Sequence, residues 1–214
     1  MYGMKMKINH NGQSVILRRF RKSDMPVLVD HFDSMQIHMY TKGLSAQTLE
    51  NEEEWYEKNR KDPDTCTWAI QPEGYECPIG VTSLDNITSK YNFCTSGVII
   101  WDPAWWGKGI ASAAHLGRTR FAVEWLNRFA IRSCVREPNE ASRRALERVG
   151  YSVWGMEPIT TERCGEFLNT YHLLWLHPKR INVYYPNGLP EMFREGVEKA
   201  EKALALAKIE VQYL

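Results

Sequence analysis

The stretch Trp105-Trp106-Gly107-Lys108-Gly109-Ile110-Ala111-Ser112 constrains this chain more than any other. Before it, Ser96-Gly97-Val98-Ile99-Ile100-Trp101-Asp102-Pro103 reads as a buried strand stopped by proline. After it, Ile110, Ala114, Gly117, Phe121 and Trp125 recur at helical spacing and predict one apolar face of a helix. A strand, a two-glycine turn and a helix start together make an anion site. Glycine lets backbone approach a ligand with no Cβ in the way. The first N–H groups of a helix have no partner within it, and the helix dipole adds to their attraction for phosphate. Lys108 adds a charge.

Three phosphate-binding patterns compete for this stretch. A Walker A loop needs Gly-x-x-x-x-Gly-Lys-Ser/Thr, but here Gly109 follows Lys108 and no glycine opens the loop. A dinucleotide fingerprint needs a third glycine where Ser112 stands. Glu137, closing the next strand, would supply its ribose-binding acid, yet roughly a hundred residues precede the point where that fold would begin. The third pattern is Gln/Arg-x-x-Gly-x-Gly/Ala, represented by Trp106-Gly107-Lys108-Gly109-Ile110-Ala111. This resembles the pyrophosphate loop of the GCN5-related N-acetyltransferases (GNAT), with Trp106 in place of the usual Arg or Gln. The form Asp-Pro-x-x-Trp-Gly-Lys-Gly is similar to the branch that includes ribosomal-protein N-terminal acetyltransferases.

The order of elements agrees with that resemblance. Val15–Phe20 predicts a strand, and Ser23 caps a helix through Val27, Leu28, Phe32 and Met35. A polar segment with Gly43 leads to Ser45, a second cap, and a charged helix through Trp55 that Pro63 ends. Cys66–Gln71, Ile79–Leu84 and Gly97–Trp101 then form an antiparallel meander. The loop and helix follow, and Ala130–Val135 completes a parallel strand–helix–strand unit. Asn139 caps a helix that ends at Gly150, and Tyr151–Gly155 and Thr170–Leu176 are the last two strands. The result is a mixed α/β chain of order β-α-α-β-β-β-α-β-α-β-β, which resembles the GNAT fold. Asn-x-x-Ser-x-x-x-Leu-Glu-Arg-x-Gly-Tyr, beginning at Asn139, is similar to the family's second signature.

Residues 1–177 are expected to form the acetyltransferase domain, and 178–214 a linker and helix. Tyr184–Pro190 is punctuated by proline and glycine; Phe193, Val197, Ala200, Leu204 and Ala207 then share a helical face. That face docks either on the chain's own domain or on a second subunit, as in a homodimer. With 27 basic and 26 acidic residues, charge points to neither nucleic acid nor a membrane surface, and no apolar run spans a bilayer. The five cysteines are scattered without metal spacing, so no metal is expected, and they read as reduced thiols of a cytoplasmic protein.

The resemblance implies acetyl transfer from acetyl-CoA to a primary amine, on a protein N-terminus or a small molecule. It implies that acetyl-CoA enters where two parallel strands splay. Its pantetheine arm would pair with Ile99, Ile100 and Trp101, its pyrophosphate would sit on the N–H groups of Gly107, Lys108, Gly109, Ile110, Ala111 and Ser112, and Trp106 would also be a cofactor-binding residue. Asn139 would bond the pantetheine arm. Many members use a tyrosine for the departing thiolate, but Leu146 stands at that position. Ser142, one turn earlier, is the alternative donor and also a binding residue; helix capping is an equal reason for it. The branch places a glutamate base where Thr95 stands, leaving Asp85, Glu157, Glu162 and Glu166 as substitutes. His31 and His38 flank the acceptor-side loop, and His115 is expected to face solvent. A GNAT-like sensor without turnover, and more distantly a nucleotide-dependent oxidoreductase, are the other readings.

Overall fold

The computed structural model describes residues 2–32, 34–41 and 46–214. Asn11 and Gly12, both at positive φ (50° and 75°), form a two-residue hairpin turn between β1 (Met6–His10) and β2 (Gln13–Arg18). β1 adds a strand ahead of the expected first one. A 3-10 turn, Lys22–Asp24, leads into α1 (Met25–Phe32). Ser23 does not cap this helix: it lies inside the 3-10 turn, where Asp24 reaches back to the turn's own N-cap, Arg21. The Asp24 carboxylate accepts the Arg21 N–H at 2.7 Å and two Arg18 guanidinium N–H groups at 2.7 and 2.9 Å.

The helix also stops before Met35, which opens the short α2 (Met35–His38) and is exposed. α3 (Leu49–Asn59) is capped by Thr48, whose hydroxyl accepts the Asn51 N–H; Gly43 and Ser45 lie outside the described residues. β3 (Thr65–Pro72), β4 (Gly80–Asp85) and β5 (Phe93–Ile100) form the expected meander. α4 (Ile110–Glu124) then crosses to β6 (Ala130–Arg136), which pairs parallel to β5. α5 (Glu140–Arg148) precedes a long hairpin of β7 (Ser152–Arg163) and β8 (Glu166–Leu176). The chain continues through a 3-10 turn, α6 (Ile181–Tyr184), α7 (Glu191–Glu210) and β9 (Val211–Tyr213). One mixed sheet runs β7-β8-β6-β5-β4-β3-β2-β1-β9.

α4, α5 and α7 cover one face of this sheet; α1 and α3 cover the other. The apolar stripe of α7 docks within the chain. Phe193, Gly196, Ala200 and Ala207 are buried along it, and Arg120 donates to the Ala207 and Val211 carbonyls at 3.1 and 2.6 Å. That places a cation on the helix's C-terminal carbonyls, where the dipole favours one. Among the described residues no helix is long and apolar enough to cross a membrane.

Packed between the sheet and two helices, α4 is buried around much of its circumference, so its apolar face predicts too little. Trp125, expected on that face, is 52% exposed and stacks edge-on against Tyr213. His115, expected in solvent, is 1% exposed, and its Nδ1 accepts an N–H from the fully buried Arg118 at 2.7 Å. Arg118 also donates to Thr82 Oγ1 and the Gly97 carbonyl, at 2.7 and 2.6 Å.

Burial, and secondarily Arg118, hold the His115 imidazole well below its ordinary pKa. The folded chain therefore refuses a proton that the unfolded chain binds below about pH 6.5. The His115 contribution is whole above that value and falls as pH drops, by at most about 1.4 kcal/mol per unit. His115→Gln keeps an acceptor for Arg118 but cannot titrate. In urea unfolding at about pH 7.5 and 5.5, wild type should lose about 1 kcal/mol more stability than this variant. Equal losses would show that His115 titrates normally.

Candidate active site

The parallel ladder between β5 and β6 is short. Only Phe93, Cys94 and Thr95 pair, with Ala130, Ile131 and Arg132. Two hydroxyls then replace the ladder: Ser133 Oγ donates to the Ser96 carbonyl at 3.1 Å, and Ser96 Oγ to the Arg132 carbonyl at 3.3 Å. Beyond Ser96 the strands part, while β5 runs on to Ile100 and β6 to Arg136. The Trp101 N–H reaches the Ile79 carbonyl on the β4 side at 3.0 Å. Strand alternation therefore turns the N–H and C=O groups of Val98 and Ile100 toward the opening. Trp106 Nε1 takes the Ile100 carbonyl at 2.9 Å.

A cavity of about 460 Å³ fills the gap, bordered by Val98, Ile99 and Ile100. Gly107, Gly109, Ile110, Ala111 and Ser112 form one wall. Gly107 and Gly109 have φ of 73° and 81°, a backbone that L side chains rarely adopt, and a Cβ at either would meet only open space. Gly109 is the N-cap of α4, and the first intrahelical bond runs from Ala113 N–H to its carbonyl at 3.0 Å. The N–H groups of Ile110, Ala111 and Ser112 thus precede the helix's own ladder.

A second helix start faces the first. Asn139 caps α5 through its side-chain oxygen, which accepts the Ser142 N–H at 3.1 Å; both residues border the cavity, as do Arg144 and Arg148. Arg144 is paired with Glu140. Two helix N-termini and two guanidinium groups make this end electropositive. The other end is formed by Ile37, Tyr40 and Thr41. It is fastened from across the gap. Arg163 donates to the His38 and Thr41 carbonyls at 3.2 and 3.1 Å, and Arg136 donates to Thr41 at 3.2 Å. Burial, and then Arg163, lower the Arg136 pKa.

The structure thus brings together Ile99, Ile100, Trp106, Gly107, Gly109, Ile110, Ala111, Ser112, Asn139 and Ser142 around one cavity. Trp101 and Lys108 do not border it. Trp101 is fully buried across the sheet beside Phe20, Met25 and Ile37, with His31 stacked over it. The Lys108 ammonium lies over the Trp105 ring, 4.9 Å from its centroid. The candidate bases lie elsewhere too. Asp85 accepts the Ser83 hydroxyl and sits across from Thr95 at the closed end of the strands. Glu157 pairs with His172, while Glu162 and Glu166 are on the β7–β8 hairpin. Arg136, Arg144, Arg148 and Arg163 were not singled out in the sequence. The i,i+4 spacing of Arg144 and Arg148 behind the Asn139 cap is the signal that would have found two of them.

Known proteins carry the same frame. Spermidine N-acetyltransferase from Vibrio cholerae, in complex with CoA and spermine, superposes with a TM-score of 0.70 at 20% identity, covering 78% of this chain and 98% of that one. Mycobacterium smegmatis RimJ, in complex with CoA-disulfide, gives 0.70 at 16% identity, covering 99% and 96%. A GNAT-family acetyltransferase from Bacillus anthracis gives 0.67 at 17% identity, covering 81% and 98%. These likenesses establish the fold. The sequence model of the acetyltransferase (GNAT) domain matches residues 14–152. With that match over more than half its length, this chain belongs to the GNAT family of acetyl-CoA-dependent N-acetyltransferases.

Proposed function

We propose that acetyl-CoA lies in the cavity between β5 and β6 and that the acceptor is an α-amine, on a protein N-terminus or an amino acid. The observation that carries this reading is the convergence of the α4 and α5 N-termini on a strand edge that its neighbour has left. The pyrophosphate would take N–H groups from Gly107 to Ser112, the pantetheine arm the strand edge at Val98–Ile100, and Asn139 and Ser142 its reactive end. Arg144 and Arg148 are placed for the remaining phosphate. Trp101 and Lys108 would act only indirectly, by packing and by charge. The CoA in the Vibrio and Mycobacterium structures supports the ligand.

In the reaction the amine lone pair attacks the thioester carbonyl, a C–N bond forms and the C–S bond breaks. The thiolate takes a proton from the Ser142 hydroxyl or from water. Among the described residues the cavity-lining carboxylate is Glu140, already paired with Arg144, so the amine's proton goes to solvent. An amine without a positioned base must be neutral already. An α-amine, with a pKa of about 7.7–8.0, meets this near neutral pH, whereas a lysine-like amine near ~10.4 does not. Ile37, Tyr40 and Thr41 also offer a polycation no opposite charge.

Release of free thiol from acetyl-CoA over a panel of peptides, amino acids and spermidine tests this. Peptides with free N-termini should turn over fastest. Turnover of spermidine alone would overturn the acceptor; binding without turnover of any amine would make the protein a sensor. Ser142→Ala should lower kcat toward the ~10²-fold end of general-acid effects, with little change in acetyl-CoA affinity. Since the cap uses the Ser142 backbone N–H, the variant should keep its Tm. Unchanged kcat would remove Ser142 from catalysis.

Cysteines 77, 134 and 164 are exposed thiols, which suits the reducing cytoplasm we propose as its compartment. For a homodimer the support is the exposed apolar side chains Trp154, Met156, Ile159 and Phe167 on the β7–β8 hairpin.

A further inference from the structure

A second concavity, of about 520 Å³, lies on the α1–α3 side of the sheet, bordered by Tyr2, Arg19, Phe20, Arg21, Lys22, Tyr56 and Arg60. Its walls are held by packing. The Trp68 indole N–H fixes the Met4 carbonyl at 2.9 Å, and Gly3 lies so close over the ring that a Cβ there would fall 1.8 Å from it. Tyr2 is thereby laid beside β3, bridged to Thr67, with its ring 6.2 Å from that of Tyr56. Phe20, nearly fully buried and edge-on to Trp55, forms the floor.

Four cations surround this concavity, and their compensation is incomplete. Lys22 pairs with Glu53 at 3.1 Å and Arg60 with Glu57 at 3.6 Å. Asp24, the remaining nearby acid, is occupied by Arg18 and the Arg21 backbone N–H. The side chains of Arg19 and Arg21 have no ion-pair partner among the described residues. The Tyr2 hydroxyl is buried and likewise has no hydrogen-bond partner among them.

We infer that this concavity binds a compact polyanion of the phosphate class, gripped by Arg19 and Arg21, with the Tyr2 and Tyr56 side chains as walls. Arginine's planar fork matches phosphate oxygens, and the volume suits a small ligand. The site is separate from the cleft between β5 and β6, and the inference does not rest on what occupies that cleft.

The test is calorimetric titration with inorganic pyrophosphate at fixed ionic strength, with circular dichroism as the check on folding. Gly109→Glu serves as background, because it places a carboxylate at the α4 loop and removes that loop as a competing phosphate site. In this background one equivalent of pyrophosphate should still bind. Adding Arg19→Gln with Arg21→Gln should weaken binding at least about tenfold. No binding in the Gly109→Glu background, or affinity unchanged by the arginine substitutions, would overturn the inference. Comparing wild type with Gly109→Glu alone reports on the α4 loop, so the two sites are read independently.

Discussion

Gly109→Glu is expected to weaken acetyl-CoA binding strongly while leaving the fold intact. Gly109 caps α4 at φ 81°, ψ 0°, and the space where its Cβ would stand is empty. A larger residue therefore meets no atom of the protein; it meets whatever the loop binds. Two effects add. Holding a residue with a Cβ in this left-handed region costs about 1–2 kcal/mol. The glutamate then brings a negative charge to within a few ångströms of the proposed pyrophosphate position, which at an effective dielectric near 20 costs up to about 4 kcal/mol. Affinity should fall by roughly 30- to 1,000-fold from the charge alone. Gly109→Asn separates the terms: asparagine tolerates the conformation and carries no charge, so it should retain most of the affinity. Calorimetry on both variants decides. Equal affinities for wild type and Gly109→Glu would place the cofactor elsewhere.

The largest loss of stability should come from Gly150→Ala. Gly150 sits at φ 102°, and a Cβ there would lie 2.5 Å from the Ala200 Cα and backbone nitrogen. Neither can step aside as a side-chain tip would. α7 meets the turn after α5 through small residues: Gly196 is as tight, with Ser152 Oγ 2.1 Å from where its Cβ would be. Overpacking costs about 1–3 kcal/mol and the positive φ about 1–2 kcal/mol more. For a chain of this size, that sum lowers Tm by about 4–20 °C in a thermal melt. Because the clash is with backbone, Ala200→Gly should not rescue Gly150→Ala. Full rescue, or an unshifted Tm, would mean that α7 rests less closely than described.

The order of elements was legible because most of it is written locally. The β5–α4–β6 unit, the Asn139 cap and the positive φ at Gly150 all follow from strand patterning, a side-chain oxygen and an absent Cβ. β1 is a different case: Asn11-Gly12 is a strong hairpin signal, but β1 is shorter and less apolar than β2 and stands out less beside it. β9 could not be read locally, because three residues at the end of a helix become a strand only by pairing with β1. His115 and Arg118 failed on a different ground. Periodicity reports one buried face, and α4 is enclosed by partners on several, so His115 and Arg118 turn inward and bond each other. At the cavity, the glycine turn and both helix starts were legible. The arginines that fasten α2, Arg136 and Arg163, were not: their partners are backbone carbonyls far away in sequence, which carry no side-chain signature.

The brevity of the β5–β6 ladder has a mechanical consequence. With only three residue pairs between them, the nine strands behave as two plates, β7-β8-β6 and β5 through β9, joined along a weak seam. α7 is the clasp across that seam, touching β7 and β8 on one plate and β1 and β9 on the other. Local opening follows the line of fewest bonds, so amide exchange is expected to be fastest along the cleft itself. A ligand lying there bridges the plates, and its binding energy adds directly to the cooperativity with which the sheet holds together.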